Sequence, residues 1–160
     1  MIVSNATPLI AFAKINQLFF LQKIVRNLVI STAVAREIST YPVGKSGFID
    51  LQQETWINVR SLASDQQVNL LLPILDRGEA ETIALGLEEQ AKLVLIDELS
   101  CRKVAQALNL NISGAVGILI LAKQVGEIAA VKPLIEAMRH QGIYYNPRFI
   151  EAVLRQVGEG

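Results

Sequence analysis

Residues 92–97 read Lys-Leu-Val-Leu-Ile-Asp. Leu93–Ile96 is a continuous apolar run with no polar alternation, the mark of a strand buried on both faces. Such a strand belongs to a sheet covered by helices on either side. Asp97 follows at once, at the strand's carboxyl end. In open parallel α/β sheets, ligands gather at that edge. Asp97 is therefore a candidate site residue, with an equal claim to be the cap of a helix beginning near Glu98.

Outward from this strand, apolar runs alternate with helical periodicities. Toward the N-terminus, Ile2–Ser4 is a short apolar run, and Pro8 fits the first turn of a helix with Thr7 as its cap. Leu9–Ile15 and Leu18–Val25 read as helices joined at Asn16. Leu28–Ser31 is strand-like, and Thr32 can cap a helix over Ala33–Ser39. Pro42–Gly47 is a loop. Ile57–Arg60 is a short strand, and Asp65–Leu75 and Gly78–Gln90 are helices. Beyond Asp97, a helix over Glu98–Leu108 and a strand over Asn111–Ser113 lead to closing helices over Ala115–Val125, Val131–Gln141 and Pro147–Val157. Alternating short strands and helices imply parallel pairing. The expected fold is a three-layer α/β/α sandwich with a short central parallel sheet and additional C-terminal helices. Asn5, just after the first strand, stands at the same edge as Asp97.

The 160 residues are the length of one domain, 1–160, and no repeat or linker divides them. The apolar fraction of 51% excludes disorder, and with aromatics at only 6% the core must be aliphatic. Fifteen basic residues balance fifteen acidic ones, which speaks against a strongly basic nucleic-acid binder but not against nucleic acid as a substrate. One cysteine, Cys101, excludes an internal disulfide and a cysteine-rich zinc site. One histidine, His140, argues against a histidine-built metal site or a Ser-His-Asp triad. No basic n-region precedes an apolar stretch, and no apolar run reaches the roughly 18 residues of a membrane span. The expected location is the cytoplasm.

Glu37 draws attention because helical rotation places it on the face of Ala33, Val34 and Ile38, where a carboxylate is costly unless paired or metal-bound. Glu79 and Glu81 flank the stripe Ala80, Ile83, Ala84 and Leu87, and periodicity does not choose between them; for both, solvated first-turn acids are the plain reading. Glu98 and Arg102 have the spacing of an ordinary helix-surface pair. Cys101 lies on the stripe of Val104, Ala105 and Leu108 and reads as a small buried apolar group. His140 suits a helix end, and Trp56 packing beside a strand. Gly114 and Gly117, like Asp76-Arg77-Gly78-Glu79, form turns into helices. No Walker sequence or dinucleotide glycine fingerprint occurs.

Four segments in order resemble the motifs of PIN domains. Ser4-Asn5-Ala6-Thr7-Pro8-Leu9-Ile10 looks like the family's opening, and Ala33-Val34-Ala35-Arg36-Glu37-Ile38 like its second, Glu-bearing helix. Glu79-Ala80-Glu81-Thr82-Ile83-Ala84-Leu85-Gly86-Leu87-Glu88 resembles its third, and Lys92 to Asp97 the strand ending in Asp. The chain looks most like an uncharacterised PIN-like subfamily of nucleic-acid-binding proteins that carries Gly-Glu-Ala-Glu. The motifs cover a core of about 1–125, and about 130–157 looks like a helical tail.

The resemblance implies a Mg²⁺- or Mn²⁺-dependent ribonuclease, in many relatives the toxin of a toxin–antitoxin pair. Carried over, its metal-site quartet is Asn5, Glu37, Glu79 and Asp97, with Glu37, Glu79 and Asp97 as the catalytic acids. Glu79 takes the site position and Glu81 stays a flank residue. Thr7 matches a small hydroxyl position, and Glu98 and Ser113 are accessory candidates. Hard divalent cations take oxygen ligands, and a bound water becomes a nucleophile without a histidine. The departure is Asn5: an amide brings no charge where the family has an acid, which weakens metal binding. The implied partners are RNA, single-stranded or structured, and a small antitoxin. The alternative is a catalytically impaired PIN-like module that binds nucleic acid or protein. A doubly wound nucleotide-binding or receiver-like domain is disfavoured by the missing glycine fingerprint. Abundant aliphatics in Leu9–Leu21 and Val116–Leu121 point to a homodimer, the commonest assembly.

Overall fold

Strand residues of alternating parity go to opposite faces of one sheet, and this divides the core in two. The computed structural model describes residues 1–160. Its strands are β1 (Ile2–Ser4), β2 (Leu28–Ser31), β3 (Ile57–Arg60), β4 (Leu93–Leu95) and β5 (Ile112–Ser113), all parallel, in the order β3-β2-β1-β4-β5. Ile2, Leu28, Ile30 and Leu95 join one buried cluster, while Val3, Val29, Val94 and Ile96 join the other. The expected α/β/α sandwich is the fold observed.

One face is covered by α1 (Ala6–Lys14), α2 (Leu18–Val25), α7 (Ala115–Gln124), α8 (Lys132–His140) and α9 (Pro147–Gln156). The other is covered by α4 (Gln66–Leu71), α5 (Arg77–Glu88) and α6 (Leu99–Ala107). Between them in sequence, α3 (Thr32–Ser39) follows β2 and buries Ala33, Val34 and Ile38. No helix is long and apolar enough to cross a membrane.

Several boundaries differ from expectation for identifiable reasons. α4 ends at Leu71 instead of Leu75, because Pro73 has no N–H to continue the helical ladder. Asn5 takes the N-cap position of α1 without a side-chain cap bond, so Thr7 lies in the first turn and its hydroxyl is free for another partner. α6 begins at Leu99, with Glu98 at its N-cap position but not capping it by its side chain. The aliphatics of Leu9–Leu21 and Val116–Leu121 mostly serve the chain's own core: Leu9, Phe12, Leu21, Ile118 and Leu119 are fully buried together. That abundance is therefore no argument for a dimer; of these segments only Phe19, 68% exposed, and Leu121 leave a large apolar side chain in solvent.

The C-terminal residues are tied down by charge. Glu159 accepts hydrogen bonds from the Val131 and Lys132 amides at 2.8 and 3.0 Å and from Lys123 Nζ at 2.9 Å. Burial alone would raise its carboxyl, but the Val131 amide, the Lys123 ammonium and the Lys132 amide hold it down at about 2. An unfolded carboxyl titrates near its ordinary value, so this clasp stabilises fully above that value and is lost as pH falls toward 2. Glu159→Ala is expected to cost about 1 kcal/mol at pH 7, the worth of a helix cap. Thermal denaturation checks it: the gap from wild type should close as the pH is lowered to 2, and a pH-independent gap would contradict the clasp.

Candidate functional site

The carboxyl ends of β1, β4 and β5 and the starts of α3 and α5 meet at one edge of the sheet. Register sets the geometry there: Ser4 pairs with Leu95, and the Asn5 amide donates to Leu95 O at 2.9 Å. Asn5 and the Asp97–Glu98 pair thus leave adjacent strands side by side. Asn5 Nδ2 donates to Glu98 Oε2 at 3.2 Å, and Thr7 Oγ1 donates to Glu98 Oε1 at 2.7 Å. Asn5 itself is buried, and its Oδ1 has no hydrogen-bond partner. A buried acceptor left unpartnered costs free energy unless something meets it.

Gly78 shows where that oxygen points. A Cβ there would lie 3.3 Å from Glu37 Oε1, 3.6 Å from Asp76 Oδ1 and 3.8 Å from Asn5 Oδ1. Three oxygens from three separate segments face one small space that glycine leaves open. Beside it, Asp76 and Glu79 form a reciprocal capping box: Glu79 N–H donates to Asp76 Oδ1 at 2.8 Å, and Asp76 N–H to Glu79 Oε1 at 3.0 Å.

Asp97 does not cap the helix that follows it. Its Oδ1 accepts the Ala115 amide at 2.8 Å, at the start of α7, and a Cβ at Gly114 would collide with that oxygen. Gly114 is thus required by the close approach of a carboxylate to the backbone. Ser113 lies at the same edge, its hydroxyl 3.5 Å from Gly114 O.

The electrostatics mark these acids as one group. Desolvation raises the carboxyl of Glu37 above its ordinary value, and the charges of Asp76 and Glu98 raise it further. Desolvation likewise raises Glu79, opposed by the Asp76 amide and reinforced by the Asp76 and Glu98 carboxylates. Asp97 is raised by burial and by Glu98, against the Ala115 amide and the Arg102 guanidinium. Even the Cys101 thiol below is pushed up to about 12, first by burial and then by Glu79, Glu98 and Asp76.

Each expected residue can now be placed. Asn5, Thr7, Glu37, Glu79, Asp97, Glu98 and Ser113 all stand along this edge. Glu37, however, lies at the rim of the cleft and is exposed; its neighbours Ala33, Val34 and Ile38 alone form the buried stripe. Glu98 makes no pair with Arg102: it holds Thr7 and Asn5, while Arg102 donates to Ile96 O at 2.9 Å. Glu81, expected to be solvated, is only 7% exposed. Its Oε1 accepts the Ala33 amide at 3.1 Å and its Oε2 pairs with Arg77 at 3.4 Å, so it fastens the start of α3 to α5. Asp76 is the acid the sequence reading passed over as part of a turn. Its signal was the Asp-x-x-Glu capping box combined with Gly78.

No three of the chain's His, Cys, Asp and Glu side chains stand together as a ready-made ligand set. The chemistry of the cleft nevertheless suits a hard divalent cation: every donor is oxygen, the charge is in excess, and Asn5 Oδ1 is unpartnered. Asn5, Glu37 and Asp76 face the open space, and with Glu79, which is tied to Asp76 by the capping box, they could hold that cation.

Fold and site together define an α/β/α protein of the kind that gathers acids at the carboxyl edge of a parallel sheet. A family model described as a PIN domain matches residues 1–159, and the chain belongs to that family. PIN domains are generally of nuclease type and typically use divalent metals. No curated protein and no solved structure matches the chain.

The raised carboxyls give a signed prediction. The folded state holds protons more tightly than the unfolded one at these acids, so their contribution to stability falls as pH rises through and above the ordinary carboxylate range. Glu37→Gln should therefore raise the melting temperature at pH 7, by roughly 1–2 °C given solvent screening at the rim. The gain should shrink toward pH 4, below the ordinary value of 4.5 from which Glu37 is raised. Melting curves at the two pH values check this, and an unchanged or lower value at pH 7 would refute it.

Proposed function

We propose that the chain is a divalent-metal-dependent endoribonuclease of PIN type, using Mg²⁺ or Mn²⁺. The observation that carries this reading is the facing of Glu37, Asp76 and Asn5 oxygens across Gly78, with Asn5 Oδ1 buried and unpartnered. Asn5, Glu37, Asp76 and Glu79 would hold the ion, and Asp97 stands at the same sheet edge, bound to the start of α7. A bound divalent cation lowers the pKa of its water and neutralises charge on phosphate oxygens. The chain's own part is positional and acid–base. Glu98 fixes Thr7 and Asn5 by two hydrogen bonds. The Ala115 amide fixes Asp97. Glu37, Glu79 and Asp97, each raised above its ordinary value by burial first, are better proton acceptors than solvated acids.

This reading includes RNA as substrate, one domain over 1–160, and a toxin-type role opposed by a small antitoxin protein. A homodimer is also proposed, with Phe19 among the exposed apolar residues available to it. A monomer by light scattering would remove that element alone.

A second reading has one specific observation behind it: Asn5 supplies an amide where the family places an acid, and it spends its Nδ2 on Glu98. That favours a PIN fold with impaired catalysis acting as a binding module. The two readings separate in one experiment, in which Mn²⁺-dependent RNA cleavage and Mn²⁺-dependent thermal stabilisation are measured together. The ribonuclease reading expects both in wild type, with Asp97→Asn abolishing cleavage while the protein stays folded and Asn5→Asp strengthening the Mn²⁺ shift. Cleavage that survives Asp97→Asn would sink the assignment. RNA binding with no cleavage even in Asn5→Asp would establish the binding module.

A further inference from the structure

We propose that the cavity beside Asp97 seats an unstacked base of a single-stranded RNA whose backbone crosses the carboxylate cleft. The inference rests on the ribonuclease reading and adds a seat for one base of its substrate. The cavity holds about 650 Å³. One wall is Asp97, Ser113 and Gly114, so the cavity opens at the same sheet edge as the acids and shares Asp97 with them. The facing wall comes from the loop before α9 and its first turn, where Tyr144 and Phe149 stand.

Those side chains have no sufficient role in the core. Tyr144 is 79% exposed and Phe149 47%. The chain has only five Phe, three Tyr and one Trp, yet Tyr144, Tyr145 and Phe149 all line this one cavity. Aromatic faces stack on any base, and each such contact contributes substantially to single-strand binding. Bases inside a duplex are stacked on one another and cannot be offered in this way. Arg102 and Gln156 add polar groups to an otherwise apolar lining, as a heterocycle with polar edges requires.

Charge points the same way. With fifteen basic and fifteen acidic residues, the chain has no excess of cations to hold a phosphate backbone. A protein that binds by phosphate contacts alone needs that excess. Here stacking must supply much of the affinity, and the binding should depend only weakly on salt.

The test uses a short fluorescein-labelled single-stranded RNA, its annealed duplex, and the same strand carrying one abasic position. Anisotropy is read with no divalent metal added, so that the strands stay intact, and cleavage is read separately with Mn²⁺. Tyr144→Ala and Phe149→Ala should each weaken single-strand binding by about ten-fold or more. Tyr144→Phe and Phe149→Tyr should keep it. The duplex should bind more weakly than the single strand, and the right abasic strand should lose affinity for wild type but not for the alanine variants. Both positions are open to solvent, and melting curves confirm that the variants fold. If both alanine variants bind and cleave like wild type, the base seat is wrong and the ribonuclease reading stands. If they lose only self-association, the face belongs to a second copy of the chain and the inference is overturned. If wild type neither binds nor cleaves RNA, both readings fall together.

Discussion

The site depends on one backbone constraint, the parallel pairing of β1 with β4 in the register Ser4 to Leu95. Both strands are three residues long, so nothing within them can absorb an error. A slip by one residue would send Val3 and Val94 to the wrong helical layer and exchange the two halves of the core. The same slip would separate Asn5 from Glu98 and leave Asp97 away from the start of α7. Core and cleft are thus specified by one set of hydrogen bonds. The apolar residues fix the register, and the polar residues beyond the strand ends inherit their positions from it.

Acids recur at helix starts throughout the molecule, with different tasks. Glu159 meets the first amides of α8, Glu81 those of α3, Asp76 the Glu79 amide of α5, and Asp97 the first amide of α7. An anion at a helix N-terminus meets unsatisfied donors and the positive end of the helix dipole. Where such an acid stands apart, as Glu159 does, its pKa falls and it stabilises. In the cleft the acids are crowded and partly desolvated, and the pKa values rise instead. One capping chemistry therefore stabilises the C-terminal end and, at the sheet edge, holds mutually repelling groups in place. Strain of this kind persists only where the surrounding structure over-determines it.

The fold was legible in the sequence because burial on both faces leaves an unmistakable trace. Leu93–Ile96 and Leu28–Ser31 have no alternation, and the helices between strands force parallel crossovers. Helix limits were less legible where a single residue decided them, as Pro73 does for α4. At the cleft, chain position sufficed for Asn5 and Asp97, which follow strands directly. It failed for Glu37, which rotation placed on the buried stripe, and for Glu81, whose plain reading was a solvated acid: the exposures are the reverse. Rotation gives the direction a side chain leaves the helix, not what stands across from it. Glu37 meets an open cleft because Gly78 opposes it without a side chain, and Glu81 meets the backbone of α3. Asp76 was hidden by the same limitation: as a cap it looked complete within its own turn.

Asn5 is more than a missing charge. A carboxylate in its place would face Glu98 across the distance now spanned by the Nδ2 hydrogen bond, 3.2 Å, where two like charges repel unless a cation joins them. The amide removes that conflict. Its nitrogen secures Glu98, which in turn secures Thr7, and its oxygen keeps a direction toward Glu37 and Asp76. The substitution therefore exchanges attraction for a cation against order in the ligands that remain. Under the proposed reading, the chain would bind metal less tightly than an all-acid site while needing less rearrangement to do so. The neighbouring aromatic cavity bears on the same balance. A strand anchored by a stacked base brings its own phosphate charge to the cleft, and that charge can complete what the amide leaves out.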